Sequence, residues 1–216
     1  MKKGRRNFYV AVYMLALFLL WTIAIKFIDI QAIGPCESTV GFATLNNLAH
    51  TITGVHMELY NITDWLGLVP IMFVIAFGIL GLIQWIQRKH ILKVDYSILI
   101  LGIFYIVVIA VYVVFEVVTV NFRPVLINNY LEKSYPFSTT MLVMTVMPTV
   151  IIQFKARIKN SIIKNCINTL IVAFIMFMVI ARFISGVHWI TDIIGGAMLS
   201  VGLVQMYVFI NNLKEN

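Results

Sequence analysis

Three ionisable side chains, Arg182, His188 and Asp192, stand where two long apolar runs meet. Unpaired, such groups cost several kcal/mol at membrane depth, so together they point to a task. A guanidinium binds a phosphate oxygen bidentately, an imidazole is a nucleophile or a proton carrier, and a carboxylate can hold the imidazole's second nitrogen. Four positions apart, His188 and Asp192 would share one face of a helix that included both. The chemistry this combination offers is the binding and transfer of a tetrahedral oxyanion.

A second polar cluster lies at Asn121-Phe122-Arg123-Pro124 and Ser134-Tyr135-Pro136-Phe137-Ser138-Thr139-Thr140. Pro124 disfavours helix at Arg123, which places that guanidinium at a helix end. Pro136 ahead of three hydroxyl residues resembles a helix N-terminus, where hydroxyls and free N–H groups favour an anion. Arg123, Arg182, Ser138 and Thr139 are the candidate phosphate ligands, with His188 and Asp192 as the candidate catalytic pair.

The elements that must position these groups are transmembrane. The 216 residues are 61% hydrophobic and 12% charged, against about 25% charged in soluble domains. Apolar runs of about 20 residues cross a bilayer as helices. Six are read here, at 8–27, 66–86, 96–120, 138–154, 167–184 and 190–210. The fold class is all-α: a six-span helical bundle forming a single domain, with a retained first span. The fourth run carries Pro148, which predicts a kink or a deeply seated start. Between the first and second spans, apolar residues recur every three or four positions from Ser38 to Trp65. That period predicts an amphipathic interfacial helix, broken at Gly54. Trp21, Trp65, Trp85 and Trp189 read as interfacial belt residues.

Twelve of the sixteen Lys and Arg residues fall at the termini or in the second and fourth connections. Lys26, Arg123, Lys133 and Arg182 fall at the other ends of the spans. Positive loops stay cytoplasmic, so both termini are expected in the cytoplasm and the polar clusters on the extracytoplasmic side, as in a bacterial plasma membrane. The net charge of +7 is therefore topological. No basic face interleaved with aromatics is present, which excludes a nucleic-acid partner. Cys36 and Cys166 fall at opposite ends of spans, and the four histidines lack ligand spacing, so neither a disulfide nor a metal is expected.

Residue by residue, the chain resembles the integral membrane branch of the type 2 phosphatidic acid phosphatase and haloperoxidase superfamily. That family carries K-x6-R-P, P-S-G-H and S-R-x5-H-x3-D on a six-helix bundle. The third motif is matched by Arg182, His188 and Asp192, with Ala181 at the serine. The first keeps Arg123 and Pro124 but has Glu116 at the lysine. In the second, Pro136 is kept while Phe137, Ser138 and Thr139 replace serine, glycine and histidine.

The resemblance implies a membrane lipid phosphatase that needs no cofactor. His188 would attack phosphorus to form a phosphohistidine, Asp192 would orient it, and Arg123 and Arg182 would hold the oxygens. Thr139 replaces the acid that protonates the leaving group, a step worth about 10²- to 10⁴-fold. A diphosphate leaving group lessens that need, which favours a polyprenyl diphosphate such as undecaprenyl pyrophosphate over a phosphatidate-type monoester. Glu116, with its sign reversed, either pairs with Arg123 or supplies the missing acid. Binding of lipid phosphate without turnover is the alternative, and a channel or transporter a third. The partners implied are the lipid phosphate and the surrounding membrane lipids, with no oligomeric state implied.

Overall fold

In hydrocarbon every backbone N–H and C=O must find its partner within its own segment, so apolar runs of this length become helices. A computed structural model describes residues 2–136 and 138–214, and the side chains of 5–136 and 139–213. In chain order the helices are α1 Lys2–Ile25, α2 Ala43–Thr53, α3 Met57–Leu66, α4 Leu68–Arg88, α5 Tyr96–Val117, α6 Ser138–Arg157, α7 Ser161–Ile184 and α8 Ile190–Asn211. Among the described residues six segments are long and apolar enough to cross a membrane, and the extended chain forms only isolated bridges. This is an all-α integral membrane protein.

α8 is the hub, packing against α1, α2, α5, α6 and α7. In a bilayer, helix association rests on close packing rather than hydrophobicity, so small residues mark the interface. Gly202 illustrates this, because a Cβ there would lie 2.8 Å from the Leu15 side chain of α1. The opposite faces of the outer helices carry large exposed aliphatics such as Leu20, Ile106 and Leu170, which suit lipid.

The connection after α1 breaks at Gly54, as its pattern predicts, with Gly54 at φ +65° ending α2. It does not lie wholly along the interface. α3 runs through Gly67 straight into α4, so 57–88 forms one long apolar unit, and α3 packs on α7. The helix assignment continues through Pro148 in α6. Of the expected belt tryptophans, Trp65 and Trp85 are exposed, whereas Trp189 is buried and its indole donates to the Phe122 carbonyl at 2.8 Å. Trp21 stacks on Phe42 and donates to the Thr191 carbonyl at 3.0 Å.

The third span ends earlier than its apolar run suggests. Helical geometry stops at Val117, and Val118 is already extended. The freed carbonyls are taken by two ammonium groups, as favoured at a helix C-terminus. Lys133 donates to the Glu116 carbonyl, and Lys26 to those of Thr119 and Val120 at 3.1 and 2.8 Å. The chain then turns back on itself as a short hairpin. Asn128 and Asn129 occupy the left-handed region at its tip, a turn asparagine tolerates, and Ile127 pairs with Tyr130, Phe122 with Lys133.

Candidate functional site

Pairing across this hairpin decides which side chains meet. The Arg123 N–H donates to the Glu132 carbonyl at 2.9 Å, and the Ser134 N–H to the Asn121 carbonyl at 2.9 Å. Directly opposed residues of such a pair interact through their side chains. Arg123 Nη2 accordingly lies 3.0 Å from Glu132 Oε2. The carboxylate beside Arg123 is therefore Glu132. Glu116 stands on a helix that has ended before Arg123, so Glu132 takes the place of the pairing expected between Glu116 and Arg123.

Arg182 occupies the last turn of α7 and is 1% exposed. A buried guanidinium needs partners. Its Nη2 donates to Asp64 Oδ1 at 2.8 Å and to Thr139 Oγ1 at 3.0 Å. Between the two arginines stands Tyr60 of α3, its ring centroid 4.7 Å from the Arg182 carbon and 5.5 Å from that of Arg123. Cation–π attraction thus holds both guanidiniums to one aromatic surface, and the Tyr60 hydroxyl accepts from Arg123 Nη1 at 3.1 Å. The extension of α4 by α3 delivers both Tyr60 and Asp64.

His188 precedes α8 rather than lying on it, so helical spacing does not bring it onto Asp192. It sits in the turn 185–189, which is pinned by the His56 N–H donating to the Ser185 carbonyl at 2.9 Å. Its Nδ1 lies 3.0 Å from Ser134 Oγ. Asp192, fully buried, accepts from Asn121 Nδ2 at 3.0 Å, and the Ser134 hydroxyl and Thr191 also interact with its carboxylate. Ser134 thus touches both His188 and Asp192. Burial, then the charges of Arg123 and Arg182, hold the His188 imidazole well below its usual value of 6.5. The ring is thus neutral at neutral pH, the form that can act as a nucleophile.

Five of the sequence-predicted residues therefore converge: Arg123, Arg182, Thr139, His188 and Asp192. Ser138 begins α6, and its side chain, like all of Phe137, lies outside the described residues. Glu116 lines a pocket of ≈ 20 Å³ with His188, Lys133 and Ser134, about the room one water needs. Tyr60, Asp64 and Glu132 were not foreseen, and Asn121 and Ser134 stood in the second polar cluster without an assigned role. The asparagine pair between apolar residues was the available hairpin signal. Among the described residues no group of three His, Cys, Asp or Glu side chains is placed to hold a metal ion.

Below Asp64 and Thr139 an apolar cavity of ≈ 510 Å³ runs between α4, α5 and α6, lined by Leu68, Ile71, Val74, Val108 and Ile109 among others. Its polar mouth thus touches the residues that hold Arg182.

No protein-family model matches the chain, and comparison with curated proteins finds no match. Among solved structures, the first transmembrane PAP2 type phosphatidylglycerolphosphate phosphatase from Bacillus subtilis matches with a TM-score of 0.62 at 16% identity. The match covers 94% of this chain and 96% of that one. That likeness establishes that this chain has the fold of a transmembrane PAP2-type phosphatase.

Proposed function

We propose that the chain is a membrane lipid phosphatase or pyrophosphatase of the type 2 phosphatidic acid phosphatase superfamily, working through His188. The observation that carries this reading is the meeting of Arg123, Arg182 and a neutral, buried His188 at one end of a bundle with that fold. Two guanidiniums match the charge of a phosphate dianion. As Nε2 of His188 bonds to phosphorus, the bond to the bridging oxygen breaks and that oxygen leaves with the electron pair. Water then adds to phosphorus, the N–P bond breaks, the pair returns to Nε2, and phosphate is released carrying the water's oxygen.

The cavity under Thr139 suits a hydrocarbon tail. Thr139 is too weak an acid to protonate an alkoxide, so the substrate is a lipid diphosphate, of isoprenoid type, ahead of a phosphate monoester. The distribution of Lys and Arg sets the termini in the cytoplasm and the site on the extracytoplasmic side.

A second reading, binding without turnover, draws on the two acids already at the arginines, Asp64 and Glu132. Purified protein given a panel of lipid mono- and diphosphates separates the two. Phosphate release that disappears in His188→Ala supports the enzyme. Release that survives His188→Ala overturns the mechanism, and binding with no release by wild type supports the second reading.

A further inference from the structure

Resting on that reading, we propose that Ser134 is a positioning residue that sets the tautomer of His188, relaying to it the carboxylate of Asp192. Ser134 is 4% exposed. Its hydroxyl oxygen lies 3.0 Å from His188 Nδ1 and also interacts with the Asp192 carboxylate. A serine hydroxyl has one proton to give and two lone pairs to receive with, whereas an ionised carboxylate only accepts. With Asp192 ionised, the single hydroxyl proton goes to its carboxylate, and the lone pair facing the ring takes a proton from Nδ1. The Ser134 backbone carbonyl, an obligate acceptor, also interacts with the ring, which asks for the same tautomer. Nδ1 carries the hydrogen and Nε2 keeps its lone pair, as attack on phosphorus requires.

The hairpin makes this arrangement rigid. The Ser134 N–H is bound to the Asn121 carbonyl at 2.9 Å, and the Asn121 amide donates to Asp192 at 3.0 Å. Asn121, Ser134 and Asp192 thus form a closed polar cluster around the back of the imidazole. The same hairpin carries Arg123. One local structure therefore supplies a phosphate ligand and the tautomer control of the nucleophile.

The test compares wild type with Ser134→Ala and Ser134→Thr, using kinetics and ¹⁵N NMR of labelled histidine in nanodiscs, with the His188 signals assigned by His188→Ala. The relay predicts an Nδ1–H, Nε2-lone-pair ring in wild type and a mixed or reversed tautomer in Ser134→Ala. It further predicts a kcat lower by about 10- to 100-fold, the size of effect known for metal-bound histidines that lose their outer hydrogen-bond partner. KM should change less than twofold, and Ser134→Thr, which keeps the hydroxyl, should restore both readouts. An unchanged tautomer in Ser134→Ala overturns the relay, as does an unchanged kcat in an active protein. If wild type releases no phosphate from any lipid phosphate, the enzymatic reading has failed, and the tautomer alone still decides the role of Ser134.

Discussion

Placing histidine at residue 139 restores the one acid that the chain's second motif lacks, and the site allows its effect to be sized. Thr139 Oγ1 accepts from Arg182 Nη2 at 3.0 Å. Losing a hydrogen bond from a charged donor costs about 1.5–3 kcal/mol, or about 10- to 150-fold at 1.36 kcal/mol per decade. The imidazolium that acts as the acid carries two N–H donors and so gives that bond up, whereas the neutral ring can accept it with one nitrogen. Thr139 and Gly67 both line the cavity of ≈ 510 Å³, which leaves room for a ring at this position. General acid catalysis should then raise the rate on a lipid phosphate monoester by about 10²- to 10⁴-fold, less whatever part of the Arg182 bond is lost. A lipid diphosphate, whose leaving group is already a stable anion, should change by less than about threefold. The assay is phosphate release from both substrates by wild type and Thr139→His, so the ratio of the two effects cancels differences in folding or concentration. Equal factors on both substrates, or no gain on the monoester in a variant of wild-type thermal stability, would refute the leaving-group argument.

The His188 environment gives a pH dependence whose sign is fixed. Its folded pKa lies well below 6.5 because of burial and the two arginines. Between that value and 6.5 the unfolded chain binds a proton the folded chain does not, so stability falls as pH drops below 6.5. Thermal unfolding between pH 7.5 and 5 should show this decline in wild type and a shallower one in His188→Gln, and the acid limb of kcat/KM should lie below 6.5. Identical slopes would exclude a buried neutral imidazole. Gly186→Ala should lower stability, because a left-handed backbone at φ +65° costs an L-residue about 1–2 kcal/mol, and the new Cβ would lie 1.7 Å from the Gly54 carbonyl oxygen. A loss of both melting temperature and activity is expected in Gly186→Ala, with Gly78→Ala, whose Cβ meets nothing within 4 Å, as the control that keeps both.

Membrane residence and the six helices could be read directly, since apolar length acts segment by segment and needs no knowledge of neighbours. The break at Gly54 was equally local. The register of Arg182, His188 and Asp192 marked the phosphate-directed cluster, because the chain holds them within eleven positions. Other features depended on groups distant in sequence. At and past the end of α5, Lys133 reaches the Glu116 carbonyl and Lys26 the Val120 carbonyl, contacts that no property of the run itself announces. Hairpin pairing set Glu132 beside Arg123 and Ser134 opposite Asn121, where its hydroxyl meets His188, and the continuation of α3 into α4 brought Tyr60 and Asp64 to the arginines. Hydrophobic length and backbone propensity are written along the chain, while the partner of a buried charge is decided by whichever group the folded backbone carries to it.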